Sequence, residues 1–526
     1  MNARCRASGS AHRFLETLNL TPVLLGLSLL GACSTDPQGT GGSGGASSNQ
    51  AGGSGSSGTA GKAGTAGMSA SGGRSATAGA GASGGASGTP NGGGAGTAGM
   101  SASGGSSALG GMNASGGVSG NGGISGSGGG SGSGGIDAGA SGGPSGGTGG
   151  GATKWVASFT ASPYLAASDA QPPSSLSSAV LRQIVHLSLG GSQMRFQFSN
   201  LSGNGDVIID SVHVALCKAT PAVDSTIDTT TDKALSFSGM PKITIAAGKE
   251  VWSDTLDFPA PALANLTITM ALGSVPSNLT AHAGSRTTSY VQAGSTDVSQ
   301  ASMTSAQGTD HWYFISGVDV MADTSAVAAV AIGDSITDGR GSDTNHFNRW
   351  TDILAARLQA DPTTKHVALV NQGIGGTNLA GTGTAAEARF ARDVLGQSGV
   401  KYVIILDGVN DINGNASAQT LQSVYDKLIK QAHDEGLLVY GGTITPFNGH
   451  SYYTVAHEQV RTTLNTYIRG GAFDGVIDFD EAISDGKSPP SIQAKFAEWA
   501  QQDGLHPGPA GYEAMGDAAD LALFKQ

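Results

Sequence analysis

The sequence has little cysteine, little charge and few aromatic residues. Cys5, Cys33 and Cys217 are the only cysteines in 526 residues, which excludes a disulfide framework and a cysteine-rich zinc site. Charged residues make up 13% of the chain and aromatic residues 6%. The formal net charge is −12, and no basic cluster is present. A nucleic-acid-binding surface is therefore not expected.

The sequence also lacks an apolar run long enough to span a bilayer at its N-terminus. The run from Leu20 to Leu30 is too short, and three arginines precede it, a pattern typical of a signal peptide. The end of this segment, Leu30-Gly31-Ala32-Cys33, resembles the lipobox of bacterial lipoproteins. The resemblance implies cleavage after residue 32 and a lipid on the Cys33 sulfur. Ser34 after the cysteine favours the outer membrane or cell surface. The alternative is a cysteine placed there by chance.

Residues 33–151 consist mainly of Gly, Ser, Ala and Thr, and hold most of the 86 glycines. The nonapeptide TAGMSASGG occurs at 65–73 and again at 97–105. Neither strand alternation nor helical periodicity is present, so the segment cannot bury enough apolar surface to offset the entropy of ordering. We expect a disordered tether, and the repeat is a low-complexity feature.

Residues 152–326 show the pattern of a β structure. Apolar and polar residues nearly alternate in LRQIVHLSL (181–189), QMRFQF (193–198) and DSVHVAL (210–216). No segment long enough to form a helix shows helical periodicity. The pattern predicts an all-β sandwich or jelly-roll-like module, in which Cys217 is a small buried apolar residue.

The pattern changes at Val327, and residues 327–526 alternate continuous apolar strands with amphipathic helices. The predicted strands are VAAVAI (327–332), HVALVN (366–371), VKYVIIL (400–406), LLVYGG (437–442) and GVIDF (475–479). This alternation predicts an α/β domain with a parallel sheet covered on both faces. Ligands bind such sheets at the carboxyl ends of the strands.

Ser335 follows the first of these strands in the sequence GDSIT. It is either the cap of the next helix or a nucleophile. The stretch is not a Gly-x-Ser-x-Gly nucleophile elbow, because Thr337 stands where the second glycine would be. A candidate base lies in DGLHPGPAGY, where Asp503 and His506 are three residues apart. One turn can then present both side chains, with Asp503 orienting the imidazole. Alone, such a pair is more often a structural cap.

Two further strand ends offer hydrogen-bond donors. VNQGIGGTN (370–378) follows the second strand, and its glycines let backbone N–H groups approach a ligand closely. A dinucleotide-binding loop would need a third glycine where Asn378 stands. LDGVNDI (406–412) follows the third strand and presents the Asn410 amide. Each motif by itself could be only a turn.

Ser, Gly, Asn and His at successive strand–helix junctions resemble the four blocks of the SGNH hydrolases, the GDSL esterase and lipase superfamily. The resemblance implies a flavodoxin-like three-layer domain at 327–526 with Ser335 as the nucleophile and Asp503 and His506 completing a triad. It also implies an oxyanion hole built from Ser335, Gly376 and Asn410. The segments WVASFTASP, TITPF and GAFDGVIDFD resemble a secreted subgroup that includes acyl-esterases linked to xylan breakdown.

The expected protein is thus an exported serine esterase that forms an acyl-enzyme, without metal or cofactor. Its expected substrates are short-chain, such as acetyl, esters on carbohydrate or small alcohols, and its membrane contact is only the lipid anchor. The alternatives are a lipase or thioesterase of the same superfamily and a surface carbohydrate-binding lipoprotein with a vestigial hydrolase domain. The four blocks being intact argues against the last.

Several other polar residues are expected to have structural roles and not catalytic or metal-binding ones. His433, His450 and His457 lack the convergent ligands of a metal site. Asp334 and Asp411 are expected to orient loops through backbone hydrogen bonds. Four more residues could line the cleft entrance or simply pack: Asn345, His346, Arg349 and Trp350.

Overall fold

The computed structural model describes residues 152–218 and 224–526. The predicted signal peptide (1–32), the lipidation site Cys33 and the tether (33–151) lie outside these residues. The first part of the described chain consists of strands β1 (Thr153–Thr160), β2 (Tyr164–Leu165), β3 (Ala179–His186), β4 (Gly191–Ser199), β5 (Val207–Leu216), β6 (Lys233–Ala234), β7 (Ile243–Ile245), β8 (Glu250–Trp252), β9 (Leu256–Ala260), β10 (Asn265–Leu272), β11 (Thr280–His282), β12 (Ser289–Ala293), β13 (Gln307–Thr309), β14 (Trp312–Tyr313) and β15 (Ile315–Asp323).

These strands pair antiparallel, as the alternation predicts. One sheet has the order β1-β15-β4-β8 with β9 also on β4, and a second has the order β13-β12-β3-β10-β5-β6 with β7 on β5. On β4, Met194, Phe196 and Phe198 are fully buried while the residues between them are partly exposed. This is the period-two burial of a sheet with one face in the core. The predicted β module is therefore confirmed as a structural class.

Cys217 follows β5 and forms no disulfide within the described residues. It is partly buried, rather than fully buried as the sequence suggested. Burial raises the pKa of its thiol to about 12, so the neutral thiol is the form present near pH 7.

From Val327 onward, strands alternate with helices. The strands are β16 (Val327–Gly333), β17 (Val367–Gly373), β18 (Val400–Leu406), β19 (Leu438–Gly442) and β20 (Gly475–Ile477). The helices are α1 (Ser335–Asp338), α2 (Trp350–Ala360), α3 (Ala386–Phe390), α4 (Val409–Asn413), α5 (Ala418–Asp434), α6 (Val455–Tyr467), α7 (Phe479–Ile483) and α8 (Pro509–Ala518), with π-helical turns after α3 at Ala391–Leu395 and after α6 at Ile468–Ala472.

The five strands of this part form one parallel sheet in the order β17-β16-β18-β19-β20. Numbered along the chain this is 2-1-3-4-5, the flavodoxin-like order. Residues 328–332 of the interior strand β16 are all fully buried, so the sheet is covered on both faces. The predicted α/β fold is confirmed.

The two parts are joined by three residues, between Asp323 at the end of β15 and Val327 at the start of β16, and they belong to one compact unit. Strand β1 lies against β17, and polar bonds cross between the parts. The Leu369 N–H donates to Ser188 Oγ (3.1 Å), and Thr160 Oγ1 donates to the Asn371 carbonyl (3.1 Å). The β module therefore packs directly on the edge strand of the parallel sheet.

Within residues 152–218 and 224–526, no helix is both long enough and apolar enough to cross a bilayer.

Candidate active site

The topology brings the predicted motifs to one place. Strand β16 lies inside the sheet, with β17 on one side and β18 on the other. The strand order therefore reverses at β16, and α/β proteins bind ligands at such a switch point. Ser335 is the first residue of α1, which starts two residues after β16. The loop after β17 carries Gly376, and α4 after β18 carries Asn410. Three of the four sequence blocks thus meet at adjacent strand ends.

Ser335, His506 and Asp503 form a continuous hydrogen-bonded relay. The distance from Ser335 Oγ to His506 Nε2 is 2.7 Å, and that from His506 Nδ1 to Asp503 Oδ2 is 2.6 Å. Because a carboxylate can only accept, Nδ1 carries the proton, and Nε2 is left to accept the Ser335 hydroxyl proton. Ser335 and His506 are each only 6% exposed. This arrangement is suited to activating a serine as a nucleophile.

The electrostatics keep the relay in its working protonation state. Burial lowers the pKa of His506, and this effect outweighs the opposing influence of Asp503. Burial alone would raise the pKa of Asp503, but hydrogen bonds from the His506 ring and from the backbone N–H groups of Leu505 and His506 lower it well below the ordinary value. At neutral pH the imidazole is therefore a neutral base beside an ionised carboxylate.

Gly504 lets the catalytic loop sit close to a neighbouring loop. Its φ is +77°, and a Cβ there would lie 2.9 Å from the Gly449 carbonyl carbon and 3.0 Å from the His450 nitrogen. A side chain would thus meet both backbone strain and a steric clash. The close approach fixes the turn between Asp503 and His506, just before α8 begins.

Gly376 and Asn410 lie where the resemblance places an oxyanion hole. Gly376 has φ +77°, and within the described residues neither its N–H nor that of Ser335 donates to a protein acceptor. Asn410 Nδ2 donates to the Thr377 carbonyl at 2.8 Å, and Asn410 Oδ1 accepts from the Tyr452 hydroxyl at 3.3 Å. These bonds fix the amide and leave its second N–H available to a ligand.

Sequence reasoning missed several residues around the catalytic histidine. The Trp499 ring meets the His506 ring edge to face at 6.1 Å between centroids, and the Arg340 guanidinium lies 6.0 Å from the Trp499 ring centroid. Both line a polar cavity of about 610 Å³ together with Arg286 and Glu498. Trp499 stands only four residues before Asp503, but no local pattern distinguishes it from a packing tryptophan.

Three carboxyl groups are buried at the strand ends below Ser335. Asp334 accepts from the Ile336 N–H (2.8 Å), and Asp411 accepts from the N–H groups of Leu379 and Ala380 (2.7 and 3.0 Å). Asp411 bonds to loop backbone, as the sequence suggested, whereas Asp334 caps the N-terminus of α1. Burial raises the pKa of Asp334 to about 7, and repulsion from Asp411 and Asp338 adds to the shift. Burial also raises the pKa of Asp407 well above its ordinary value, and repulsion from Asp334 and Asp411 adds to it.

The residues that could have lined the cleft are mostly packing residues. Trp350 is fully buried, and Arg349 is 7% exposed with a guanidinium bond to the Ser285 carbonyl of the β module. Asn345 Nδ2 donates to Thr288 Oγ1 (3.0 Å), also in the β module. His346 is exposed, and its surroundings give it no role.

The histidines weighed as metal ligands have other partners. His433 pairs with Asp474 at 2.8 Å, and His457 bonds to the Tyr452 carbonyl at 2.6 Å. Over the described ranges, no group of three or more His, Cys, Asp or Glu side chains is arranged to hold a metal ion.

The β module reaches under the helix that carries Ser335. His282 Nε2 lies 3.0 Å from Asp338 Oδ1, and His282 Nδ1 lies 3.0 Å from the Ser162 carbonyl. Both neighbours are acceptors, so both ring nitrogens donate. Arg286 Nη2 approaches Asp338 Oδ2 at 3.5 Å. Burial would raise the pKa of Asp338, but these two cations hold it below its ordinary value. We call His282, Arg286 and Asp338 the α1 clamp.

Comparison with known proteins agrees with this geometry. Residues 331–514 match the model of the GDSL-like Lipase/Acylhydrolase family. No curated protein is significantly similar to the chain. Similar solved structures include a member of the lipolytic protein G-D-S-L family from Veillonella parvula DSM 2008 (20% identity, 38% of this chain and 100% of that one, TM-score 0.28) and an acetylxylan esterase from Geobacillus stearothermophilus (18% identity, 38% and 94%, TM-score 0.31).

Proposed function

We propose that the GDSL-like lipase/acylhydrolase domain at residues 331–514 hydrolyses carboxylic esters through an acyl-enzyme on Ser335. The observation that carries the proposal is the relay from Ser335 through His506 to Asp503, at 2.7 and 2.6 Å. A chain that kept only a glycan-binding role would have no need to maintain this set. This argues against the alternative, a carbohydrate-binding lipoprotein with a vestigial hydrolase domain.

In the proposed mechanism, Ser335 Oγ attacks the ester carbonyl while His506 Nε2 takes its proton. Asp503 holds the ring and stabilises the imidazolium. The N–H groups of Ser335 and Gly376 and the Asn410 amide receive the oxyanion as charge develops. His506 then gives its proton to the departing alcohol. A water molecule, deprotonated by His506, then attacks the acyl-enzyme. The acid leaves as the bond to Ser335 breaks and His506 returns the proton to Ser335 Oγ.

The proposed substrate is a short-chain ester, such as an acetyl ester, of a carbohydrate or small alcohol. The polar cavity beside Trp499 supports a polar alcohol portion, because arginine, glutamate and hydroxyl groups surround it. A lipid-binding face would need a contiguous apolar patch. Among the described residues, the exposed large hydrophobic side chains are Leu165, Met240 and Val455, one on β2, one in a turn and one at the start of α6.

Two experiments test this proposal. Ser335→Ala is expected to abolish ester hydrolysis with an unchanged circular-dichroism spectrum, whereas Ser423→Ala, on the exposed side of α5, retains it. On the wild-type protein, kcat/KM should fall at least tenfold from nitrophenyl acetate to nitrophenyl octanoate, and acetate should be released from acetylated xylo-oligosaccharides. Activity in Ser335→Ala would move the nucleophile elsewhere. A preference for octanoyl esters or for acyl-thioesters would replace the substrate class by that of a lipase or thioesterase.

We further propose that the protein is exported and held at the outer membrane or cell surface by a lipid on Cys33. The support is the sequence alone: three arginines, a short apolar run and the Leu-Gly-Ala-Cys end. The long tether would then let the enzyme reach polymeric substrate away from the membrane.

A further inference from the structure

A second polar cavity lies between the β module and the catalytic domain. Its volume is about 290 Å³. Its walls come from both parts of the chain: Arg195, Glu250 and Trp252 from the β module, and Gln372, Arg392 and Asp393 from the catalytic domain. Neither Ser335 nor His506 lines it. We call it the Gln372 cavity. Clefts between domains are common ligand sites.

Gln372 is the feature that points to a ligand. The residue is 2% exposed, and its side-chain oxygen is buried without a hydrogen-bond partner. A buried polar atom left unpaired is destabilising, so such atoms normally have a partner. An amide oxygen accepts hydrogen bonds, and a hydroxyl group supplies the matching donor.

The charges in the cavity are already balanced within the protein. Arg195 donates through Nε and Nη2 to Asp319 Oδ2 at 2.9 and 2.7 Å. Arg392 donates to both carboxylate oxygens of Asp393. Glu250 adds a further acid, and burial raises its pKa. Arg389 also donates to Asp393 Oδ2, at 3.1 Å, so three arginines face three acidic side chains, Asp319, Asp393 and Glu250. With the two kinds of charge present in equal number, the cavity does not favour an anion such as phosphate. An uncharged ligand with many hydroxyl groups fits these walls better.

The aromatic wall is held rigidly. The Arg195 guanidinium lies between two indole rings, 4.4 Å from the centroid of Trp252 and 4.9 Å from that of Trp155. Trp252 and Gln372 both line the cavity, which therefore offers an aromatic side chain and an amide to the same ligand. A sugar ring has both kinds of surface, since its C–H face packs on an aromatic ring while its hydroxyls bond to planar polar side chains.

We propose that the Gln372 cavity binds one neutral sugar unit of a glycan chain. Gln372 lies at the end of β17, four residues before Gly376, so the bound unit would sit beside the strand ends that carry the ester-cleaving site. This inference rests on the proposed function in so far as the ester is carried by a carbohydrate. It adds a site at which the unmodified part of the polymer is held.

Isothermal titration of the full-length protein with unacetylated neutral oligosaccharides tests the inference. Xylo-, cello- and manno-oligosaccharides serve as probes, and at least one is expected to bind. Gln372→Leu and Trp252→Phe should each weaken that binding at least tenfold while keeping the wild-type melting temperature within a few degrees. Gln193→Ala changes a partly exposed glutamine on the same strand as Arg195 that does not line the cavity, so it is the matched control and should bind like wild type.

The outcomes separate this inference from the proposed function. Binding that is insensitive to both folded variants would place the sugar elsewhere and overturn the inference. If a preparation hydrolyses nitrophenyl acetate but binds none of the sugars, the cavity holds only solvent and the inference is overturned as well. Tighter binding of inorganic sulfate than of any sugar, lost in Gln372→Leu, would overturn the neutral-ligand assignment. Absence of nitrophenyl acetate hydrolysis counts only against the proposed function.

Discussion

Asn410 is the residue whose substitution best separates transition-state stabilisation from loop structure. Its free N–H strengthens its hydrogen bond as charge develops on the carbonyl oxygen, so its effect should fall on kcat. Losing one such donor typically lowers kcat by about 10²–10³. Asn410→Ala should lower kcat by about this factor and leave KM within a few-fold. Asn410→Asp should be at least as damaging, because a carboxylate repels the oxyanion.

The matched control for Asn410 is Tyr452→Phe. This change removes the hydroxyl that bonds to Asn410 Oδ1 at 3.3 Å but keeps the amide and the ring. A much smaller decrease in kcat is expected. If folded Asn410→Ala keeps a normal kcat and loses only thermal stability, Asn410 is a loop residue and not part of the oxyanion hole.

The pH profile should report on His506. The neutral imidazole is the base, so kcat/KM rises as the pH rises through its pKa. Because burial lowers this pKa, the acidic limb should lie below the ordinary histidine value of about 6.5. The positive charge of Arg340 also lowers it. Arg340→Gln should therefore move the limb to higher pH, and Arg340→Lys should leave it in place. Identical profiles for all three proteins would contradict this electrostatic coupling.

Residues within a local motif could be predicted from the sequence, and residues defined by tertiary contacts could not. Ser335 was found because it follows a recognisable strand, and Asp503 with His506 because they share one turn. Tyr452 contacts Asn410 across 42 positions of sequence, and nothing near either residue indicates that contact. The same holds for Gln372, whose unpaired oxygen is visible only in the folded protein.

At the scale of elements, the ends of β16 and β18 carry two carboxyl groups that the fold keeps from ionising. Asp334 and Asp407 have higher pKa values in the folded protein than in the unfolded chain. Their contribution to stability is therefore intact below about pH 4, the unfolded value, and is lost as the pH rises through the native value, about 7 for Asp334. The wild-type protein should lose thermal stability from pH 6 to pH 8.

Asp407→Asn should reduce this loss. Asparagine keeps the acceptor for the Gly408 N–H but cannot ionise, so the variant should melt a few degrees above wild type at pH 8 and close to it at pH 5. Asp206→Asn, at an exposed site, should follow the wild-type curve. Parallel Tm curves for all three proteins would show that Asp407 ionises freely in the fold.

The α1 clamp makes the β module a structural part of the nucleophile helix. His282 and Asp338 have side chains only 5% and 3% exposed, and removing one partner of a buried pair typically costs about 3–5 kcal/mol. His282→Ala should lower both the melting temperature and kcat. His433→Ala breaks a half-exposed pair with Asp474 and should cost only about 0–1 kcal/mol. Equal melting temperatures for the two variants would refute the clamp.

Element types were readable from the sequence because burial follows a period of two in the antiparallel strands and continuous apolarity in the parallel ones. Strand partners were not readable. Thr153 of β1 pairs with Asp323 of β15, so the first strand of the module is closed by its last. The sequence suggests two separable parts, but β1 against β17 and the α1 clamp join them. A fragment starting near Ser325 would expose the edge of β17 and leave Asp338 without His282.

At the scale of the whole molecule, the proposed anchor is testable by fractionation. Cys33→Ser should release the protein from the membrane fraction with its esterase activity intact, because the active site lies far along the chain from the tether. Cys5→Ser is the control, since Cys5 would leave with the signal peptide, and it should remain membrane-associated. A Cys33→Ser protein that still sediments with membranes would contradict lipidation at this position.

The separation of 171 positions between Ser335 and His506 also governs when the enzyme can first act. A ribosome delivers the nucleophile before its base, so a growing chain that ends between the two has no means of activating Ser335. Interrupted translation, or proteolytic trimming that removes the Asp503–His506 turn, would leave Ser335 without the histidine that takes its proton. The nascent polypeptide is thereby unable to use this serine until the Asp503–His506 turn has been made.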